Sequence, residues 1–303
     1  MAKKVLVLMG GFSAEREVSL SSGGDIAAAL KSKGYDVVLY DLQNTWDFID
    51  VLQKEKPDVV FNGLYGNWGE DGTVQGMLDL LQIPYTHSGV KTSVIGMDKY
   101  LTKQIARSLG IKTAADEKTT ARKLAAQGTV ISLPYVVKPV ADGSSVGVFI
   151  VKKPEEAREI RYDDPDREIL IEKYIPGREL TVMCLEGRAY AVTELRAAGG
   201  FYNYKAKYTD GVTQHVLPAE IPDEVAATCK EYAEKIHRAL GCRMVSRSDF
   251  RWNETDGVVF LEINTNPGMT KLSLVPEQAK YAGIDYATLC TKLVENAECR
   301  KIN

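Results

Sequence analysis

The stretch Lys4-Val-Leu-Val-Leu-Met-Gly-Gly-Phe-Ser-Ala-Glu-Arg-Glu-Val-Ser19 decides the fold of the first third of the chain. Its apolar run ends at two glycines, and an amphipathic pattern follows over residues 19–33, which predicts a strand, a tight turn and a helix. β-rich runs at residues 35–40 and 58–61 flank a helical pattern at 46–55. This alternation indicates βαβ units on a parallel sheet, with ligand-binding loops at the carboxyl ends of the strands.

The pattern changes at about residue 129, where pairs of strands joined by Gly-rich turns indicate a small antiparallel α+β unit. Two predicted helices, at residues 73–81 and 93–109, come before this change. The later predicted elements are strands at 133–139, 146–152 and 168–174, a helix at 154–160, strands within 179–195, a helix at 223–240, strands at 245–252 and 258–264, and a helical end.

The composition is that of a soluble globular enzyme, because 45% of the 303 residues are hydrophobic and 26% are charged. The length predicts two or three domains. With 38 basic and 41 acidic residues the net charge is −3, which argues against nucleic-acid partners. No apolar run approaches the roughly 20 residues that span a bilayer. We therefore expect a cytoplasmic protein without membrane partners.

The five cysteines never form a C-x-x-C pair, and none of the three histidines lies within four residues of a cysteine in the sequence. Free cysteines of this kind are usually small buried apolar residues. A structural zinc site is therefore not expected. Any metal should be bound by oxygen atoms.

The first candidate site is the segment of residues 10–17, called here the glycine corner. A strand, a glycine turn and a helix N-terminus together form an anion-binding corner, because free N–H groups point at the ligand. The segment is not G-x-G-x-x-G, so the dinucleotide fingerprint is absent. Glu15 can hold an ammonium group, although on this segment alone an acid that favours the helix dipole is the simpler interpretation.

The second candidate site is Lys138-Pro-Val-Ala-Asp-Gly-Ser-Ser-Val-Gly147, in which a polar Gly/Ser loop joins two predicted strands. Such a loop can cover phosphates with backbone N–H groups and hydroxyls, while Lys138 adds a positive charge. The P-loop motif is absent. Taken alone, this segment is as well explained by an ordinary hairpin turn.

The third candidate site pairs Arg247 and Asp249 on one predicted strand with Glu262 and Asn264 on the next. Residues two apart in a strand face the same side. The oxygen ligands on this face suit Mg²⁺ bound to nucleotide phosphates, and Arg247 can stabilise charge on a transferred phosphoryl group. A solvated sheet face is the alternative interpretation.

The fourth candidate site is the segment 201–208, where aromatic residues alternate with lysines between glycines. A lid that closes over a phosphate and excludes water is the functional interpretation. Base stacking on nucleic acid is conceivable, but the acidic chain and the single short patch argue against it.

These four segments, in this order, resemble D-alanine:D-alanine ligases of the ATP-grasp superfamily over nearly the whole chain. Several motifs in register make coincidence negligible, whereas any one alone is weak. The motifs are Gly10-Gly-Phe-Ser-Ala-Glu-Arg-Glu-Val-Ser19, Gly69-Glu-Asp-Gly-Thr-Val-Gln-Gly76, Ile83-Pro-Tyr-Thr86, Met97-Asp-Lys99, Lys138-Pro with Gly143-Ser-Ser-Val-Gly147, Phe201-Tyr with Ala206-Lys-Tyr208, and Glu262-Ile-Asn-Thr-Asn-Pro-Gly-Met-Thr270 with Ser273-Leu-Val-Pro276.

The resemblance implies an ATP-grasp fold of α/β and α+β type. Its parts are an N-terminal Rossmann-like parallel-sheet domain for the first D-alanine (residues 1–96), a central small α+β ATP-grasp domain (97–178) and a C-terminal α+β domain with the metal site and the lid (179–303). It implies ATP, with Mg²⁺ or Mn²⁺, and a homodimer formed through the N-terminal domain. The first D-alanine carboxylate would attack the γ-phosphate of ATP, and the second amine would attack the acyl phosphate, giving D-alanyl-D-alanine for peptidoglycan.

The resemblance also assigns roles to single positions. Glu15, Ser144 and Tyr208 match a triad at the first substrate, and Tyr208 resembles the dipeptide-forming type of ligase. Lys99, Lys138 and Lys207 match lysines on the ATP phosphates. The residues matching the adenine hinge are Glu172, Lys173, Tyr174 and Ile175, with Glu179 on the ribose, and Ser145 and Phe201 also belong to the nucleotide site.

The remaining roles concern the metal and the second substrate. Asp249, Glu262 and Asn264 match the magnesium ligands, and Arg247 with the Gly268 backbone matches the oxyanion site. Ser273 and Leu274 match the site of the second amino acid's carboxylate. The resemblance therefore implies that the catalytic residues are Glu15, Ser144, Lys207, Tyr208, Arg247 and Ser273.

The chain departs from the family pattern near the first substrate, because Tyr65 stands where many members have histidine, and in the lid, where Asn203 and Lys205 stand where an acid is common. A phenol stays neutral where an imidazole can be charged, so Tyr65 bears on substrate choice and pH dependence. An ATP-grasp ligase for another amino acid or hydroxy acid pair is therefore the second hypothesis. A non-catalytic nucleotide-binding protein and a dinucleotide oxidoreductase remain as alternatives from other classes.

Overall fold

The structure is a computed structural model that describes residues 2–143, 146–197 and 213–301. Its first sheet is parallel, as predicted, with the strand order β2-β1-β3. The residues of Val5–Leu8 are fully buried in the central strand, because helices cover both faces of a parallel sheet. The elements of this part are β1 (Lys4–Gly10), α1 (Arg16–Ser32), β2 (Asp36–Leu42), α2 (Thr45–Glu55) and β3 (Val59–Asn62).

Three short helices follow, namely α3 (Thr73–Leu80), α4 (Val90–Met97) and α5 (Lys99–Ser108). The prediction of one helix over residues 93–109 was wrong, because Asp98 is extended with φ −82° and ψ 100°. Its side chain accepts a hydrogen bond from the backbone N–H of Leu101 and so caps α5. The break places Lys99 at the first position of a new helix.

The middle sheet is antiparallel, with the order β4-β7-β5-β6. It begins earlier than predicted, with the strand Asp116-Glu-Lys-Thr-Thr120. The sequence does not indicate this strand, because it is polar and lacks the alternation of apolar residues that marks a strand. The predicted helix at 154–160 is a 3₁₀ helix, Pro154–Glu159. The other elements are β4 (Asp116–Thr120), α6 (Ala121–Gln127), β5 (Tyr135–Pro139), β6 (Phe149–Val151) and β7 (Glu168–Lys173).

The C-terminal sheet is also antiparallel and runs in the order β11-β10-β8-β12-β13, with β9 paired to β8. The elements described here are β8 (Arg178–Leu185), β9 (Arg188–Ala189), β10 (Thr193–Ala197), β11 (Thr213–Val216), α7 (Asp223–Leu240), β12 (Val245–Asn253), β13 (Gly257–Asn264), α8 (Leu274–Tyr281) and α9 (Tyr286–Glu295).

Two apolar cores join segments that are distant in sequence. Ala106 on α5 packs in one core with Leu180 and Phe250 of the C-terminal sheet. Ile26 on α1 packs in another with Leu289 on α9. The chain therefore contacts the C-terminal sheet before it enters the middle one, and the domain limits at 96/97 and 178/179 stay predictions. Within the described ranges, none of the helices has both the length and the apolar character that crossing a membrane requires.

Candidate active site

The glycine corner begins where β1 ends. Gly10 and Gly11 have φ angles of +80° and +84°, a backbone conformation that favours glycine. The Ser19 hydroxyl, fully buried on α1, accepts from the Gly10 N–H (2.9 Å) and donates to the Gly63 carbonyl oxygen (2.6 Å). The strand end, the first helix and the loop after β3 are therefore fixed to one another beside Glu15.

Glu15 lies where two loops meet, and only 7% of its surface is exposed. A Cβ atom at Gly66 would stand 2.9 Å from the Glu15 Oε2 atom, and one at Gly143 would stand 2.7 Å from it. Both glycines therefore allow the close approach of this carboxylate. The structure thus brings the first predicted site against the second, with Glu15 touching the residue that precedes Ser144.

Glu70 is a second carboxyl group in this corner. Burial and the nearby charge of Glu15 raise the pKa of Glu70 to about 8, although Arg247 and Lys99 oppose the shift. Glu70 lines a small cleft together with Lys99, Gly143 and Asn264. The corner therefore combines two acids, one of which keeps its proton near neutral pH.

A cavity of about 120 Å³ lies between the middle sheet and the C-terminal sheet. Apolar side chains cover part of its wall, and they include Val136, Ile150 and Leu261. Nine of the predicted residues line the same cavity, namely Lys99, Lys138, Glu172, Lys173, Tyr174, Ile175, Glu179, Asp249 and Glu262. A pocket with an apolar wall on one part and convergent charged side chains on another has the character of a nucleotide site.

Buried charges form the floor of this cavity. Lys138 on β5 pairs with Glu172 on β7, with 2.5 Å between the Nζ and Oε2 atoms. Lys103, fully buried on α5, pairs with the other oxygen of Glu172 and lies 3.7 Å from Asp116. Burial lowers the pKa of Lys138 to about 8 and lowers the pKa of Lys103 as well. Glu172 therefore joins two lysines within the floor.

The other residues of the predicted adenine hinge follow directly after Glu172. The Tyr174 N–H donates to the Pro134 carbonyl oxygen, and the Ile175 carbonyl oxygen accepts from the Arg251 Nε atom at 3.2 Å. Arg251 also pairs with Glu179 at 3.1 Å. One arginine on β12 thus connects the predicted adenine hinge to the predicted ribose ligand.

The predicted metal residues lie on paired strands, since Asp249 is opposite Glu262 and Arg247 is opposite Asn264. Both oxygens of Asp249 accept from Arg247, at 3.0 and 2.8 Å. The Lys99 Nζ atom lies 3.8 Å from Glu262 and donates to the Asp142 carbonyl oxygen. Two carboxylates and one amide oxygen form a donor set that suits Mg²⁺.

Within the described ranges, no group of three or more His, Cys, Asp or Glu side chains is arranged to hold a metal. The predicted ligands are Asp249, Glu262 and Asn264, and asparagine is not one of these four residue types, so this set is not such a group.

The five cysteines are free, and three of them are buried.

A loop after β13 carries the other predicted substrate residues. A Cβ atom at Gly268 would stand 3.1 Å from the Ser273 Oγ atom, so these two residues are neighbours. Ser273 precedes α8, and its hydroxyl accepts from the Thr270 N–H at 3.0 Å. Leu274 is buried at the start of that helix. Helix N-termini attract carboxylates, which fits the predicted role of this segment.

The comparisons with known proteins agree with this arrangement. The family model described as D-ala D-ala ligase C-terminus matches residues 104–295, and the one described as D-ala D-ala ligase N-terminus matches 4–57 and 48–88. The D-alanine–D-alanine ligase of Ruegeria sp. (strain TM1040) is 48% identical over 98% of this chain and 97% of its own length. The chain belongs to the D-alanine–D-alanine ligase family.

Two solved structures of this family resemble the fold closely. The D-alanine–D-alanine ligase of Bacillus anthracis, complexed with ATP, has a TM-score of 0.82 and 34% identity, covering 98% of this chain and 97% of that one. The VanG D-Ala:D-Ser ligase of Enterococcus faecalis has a TM-score of 0.80 and 27% identity, covering 97% and 99%. The ATP-grasp fold predicted from the motifs is confirmed.

Tyr65, the residue that departs from the family's usual histidine, is 3% exposed. Its hydroxyl donates to the Ser22 Oγ atom (2.9 Å) and accepts from the Met269 N–H (3.0 Å). Burial raises its pKa, so the phenol stays neutral. The hydroxyl is bound to the protein itself, between a side chain of α1 and the backbone of the loop after β13.

Five predicted residues lie outside the described ranges, namely Ser144, Ser145, Phe201, Lys207 and Tyr208. Three residues near the ligase site received no role from the sequence. Glu70 stood inside the quoted Gly-Glu-Asp-Gly motif, Lys103 lies four residues after Lys99 on one helix, and Arg251 lies two after Asp249 on one strand. Helical and strand spacing could have indicated the last two, because such residues share a face.

Proposed function

We propose that this protein ligates two D-alanine molecules to D-alanyl-D-alanine with ATP, through an acyl phosphate, for peptidoglycan synthesis in the cytoplasm. The observation that carries the proposal is the contact between Glu15 and Gly143. It joins an acidic corner suited to an ammonium group to the loop that follows Lys138. An amino acid held at Glu15 would have its carboxylate close to a phosphate held by Lys99 and Lys138.

The first step is attack of the D-alanine carboxylate on the γ-phosphate of ATP, which releases ADP and forms the acyl phosphate. The lysines that line the cavity would neutralise the phosphate charge. Asp249, Glu262 and Asn264 would hold Mg²⁺, or Mn²⁺, which shields the phosphates when it is bound. Arg247 lies beside that set, within reach of charge that develops on the transferred group.

The second step is attack of the second D-alanine, as the free amine, on the acyl carbonyl. A tetrahedral intermediate forms, its carbon–oxygen bond to phosphate breaks, and phosphate leaves together with the proton that the attacking amine gives up. We assign the oxyanion to Arg247 and the Gly268 backbone, and the second carboxylate to Ser273 and Leu274 at the start of α8. Ser144 and Tyr208 would complete the first-substrate triad, with Lys207, Ser145 and Phe201 at the nucleotide.

The domain limits 1–96, 97–178 and 179–303 and a homodimer through the N-terminal part belong to the same proposal. Sedimentation of the purified protein tests the dimer. Limited proteolysis tests the limits, since domains divided there would be released as fragments that end near residues 96 and 178.

The deciding experiment is a phosphate-release assay with ATP and Mg²⁺, with the products identified by mass. The amino acid supplied would be D-alanine, L-alanine, D-serine, or D-alanine with D-lactate. We expect release with D-alanine alone and the dipeptide as product. No release above the ATP-only background with any substrate would refute a ligase. Release only with another pair would support the second candidate, which the likeness to a D-Ala:D-Ser ligase makes worth testing.

A further inference from the structure

Met269 is held on both sides of its backbone by tyrosine hydroxyls. Its N–H donates to the Tyr65 hydroxyl at 3.0 Å, and its carbonyl oxygen accepts from the Tyr286 hydroxyl at 2.6 Å. Its side chain is 1% exposed and packs in the core with Val275 and Leu289. The residue next to Gly268 is therefore fixed by two hydrogen bonds and by close packing.

The Tyr65 hydroxyl is itself fixed from the N-terminal part. It donates to the Ser22 Oγ atom, and that hydroxyl donates to the Ser19 carbonyl oxygen at 3.1 Å. Ser19 in turn binds the Gly10 N–H of the glycine corner. Hydrogen bonds linked through Ser19 and Ser22 thus connect the glycine corner to the backbone of Met269.

A second contact supports the same loop, residues 266–269, called here the Gly268 loop. The Asn266 side chain, 1% exposed, donates to the Leu64 carbonyl oxygen at 2.8 Å. Leu64 and Tyr65 are consecutive, so adjacent residues of the N-terminal part bind both ends of the loop. Ser13 donates to the Tyr65 carbonyl oxygen at 2.7 Å, which holds the backbone of Tyr65 against the glycine corner.

This arrangement matters because an oxyanion donor must be fixed before the reaction. Its benefit depends on a donor held within a fraction of an ångström of the developing charge, without reorganisation during the step. We propose that Tyr65 and Tyr286 are positioning residues that hold the Gly268 loop so that its backbone N–H meets the oxyanion. This inference rests on the proposed ligase function and assigns Tyr65 to positioning, where the sequence pattern assigned it to substrate binding.

The test compares Tyr65→Phe and Tyr286→Phe with Tyr85→Phe as a matched control. Tyr85 is also fully buried, and its hydroxyl donates to Asp79 away from the cavity. With D-alanine, ATP and Mg²⁺, we expect kcat to fall about tenfold to a hundredfold in the first two variants, while KM values change by less than about threefold. Tyr85→Phe should keep the wild-type kcat when assayed well below its Tm.

Two kinetic outcomes would overturn the proposal. A higher KM for the first D-alanine with unchanged kcat in Tyr65→Phe would make the hydroxyl a substrate contact. Equal losses of kcat in all three variants would show that the Tyr65 and Tyr286 hydroxyls affect activity only through protein stability.

Hydrogen exchange of the peptide spanning 264–273 tests the positioning without activity. Exchange should be faster in Tyr65→Phe and Tyr286→Phe than in wild type, and unchanged in Tyr85→Phe. Unchanged exchange in the first two would overturn the proposal. If wild type released no phosphate with any substrate, the ligase function would fail, and the exchange result would still decide whether the tyrosines hold the loop.

Discussion

The cavity between the middle and C-terminal sheets and the corner around Glu15 differ in how their charges are held. In the cavity, acids and bases alternate on strands and one helix, so that Glu172 is paired with both Lys138 and Lys103. In the corner, Glu15 and Glu70 are both acidic and lie on loops. The cavity is therefore balanced by ion pairs within the protein, whereas in the corner the second acid, Glu70, keeps its proton near neutral pH.

The difference shows how the fold divides two tasks. Paired charges on rigid strands form a site whose shape is set by the sheets themselves. Two acids close together on loops do not both ionise near neutral pH, so one keeps its proton, and a positively charged group bound beside them would favour the release of that proton. Variants on each side should therefore fail in different ways.

The largest effect is expected from Glu262→Gln, which removes a carboxylate from the proposed metal set. The exchange keeps the size of the side chain, so the loss should appear in catalysis, as a fall in kcat of about a hundredfold to a thousandfold. Phosphate release at saturating Mg²⁺ measures it. Glu254→Gln, in the exposed turn between β12 and β13, is the control and should keep full activity. Wild-type turnover in Glu262→Gln would reject the ligand assignment.

The next effect is expected from Lys103→Met, which leaves Glu172 and Asp116 with one buried cation fewer. Breaking a buried ion pair on one side destabilises by about 3 to 5 kcal/mol. Urea unfolding measures this loss. Lys118→Met breaks the partly exposed pair with Glu168 on the same sheet and should cost less than about 1 kcal/mol. Similar losses of unfolding free energy in the two variants would show that the buried pair of Lys103 with Glu172 stabilises the fold no more than a partly exposed pair does.

The sequence predicted the parts of the site that depend on local spacing. The buried run Val5–Leu8 and the glycines after it identified the first strand and its corner. The two-residue spacing of Arg247 and Asp249, and of Glu262 and Asn264, predicted one shared face, and the strand pairing confirms it. The roles of those residues stay predictions.

The remaining features depend on contacts between distant segments. The four-residue spacing from Lys99 indicates that Lys103 lies on the same face of α5. It does not indicate the partner Glu172, which β7 brings against α5 only in the folded chain. The pKa of Glu70 is raised because the fold buries this carboxyl group and places Glu15 nearby. The helix break at Asp98 reflects a side-chain cap that competes with a continuous amphipathic pattern.

A smaller effect is expected from Glu70→Gln and should depend on pH. The folded protein holds the proton of Glu70 up to about pH 8, whereas the unfolded chain releases it near its ordinary value of 4.5. Stability linked to this group is therefore complete below that ordinary value and is lost as the pH rises through the folded pKa. Urea unfolding should find Glu70→Gln more stable than wild type by about 2 kcal/mol at about pH 8.5, and close to it at about pH 5.

Glu17→Gln is the control for that pH series, because Glu17 is exposed in the first turn of α1. It should follow the wild-type pH dependence. If the stability of Glu70→Gln also follows the wild-type pH dependence, then Glu70 has an ordinary pKa and does not keep its proton at neutral pH.

The smallest effect is expected from Asp41→Asn at the outer edge of the glycine corner. Arg16 donates to Asp41 at 2.6 Å and lowers the pKa of that carboxyl below its ordinary value of 3.8. The pair is partly exposed, so Asp41→Asn should lower Tm by no more than about 2 °C at neutral pH. A carboxyl with a lowered pKa stabilises above its ordinary pKa, and this contribution is lost as the pH falls through the folded value. Calorimetry should find the difference shrinking in acid and in added salt. A loss as large as that of Lys103→Met would mean that the corner, like the cavity, depends on paired charges.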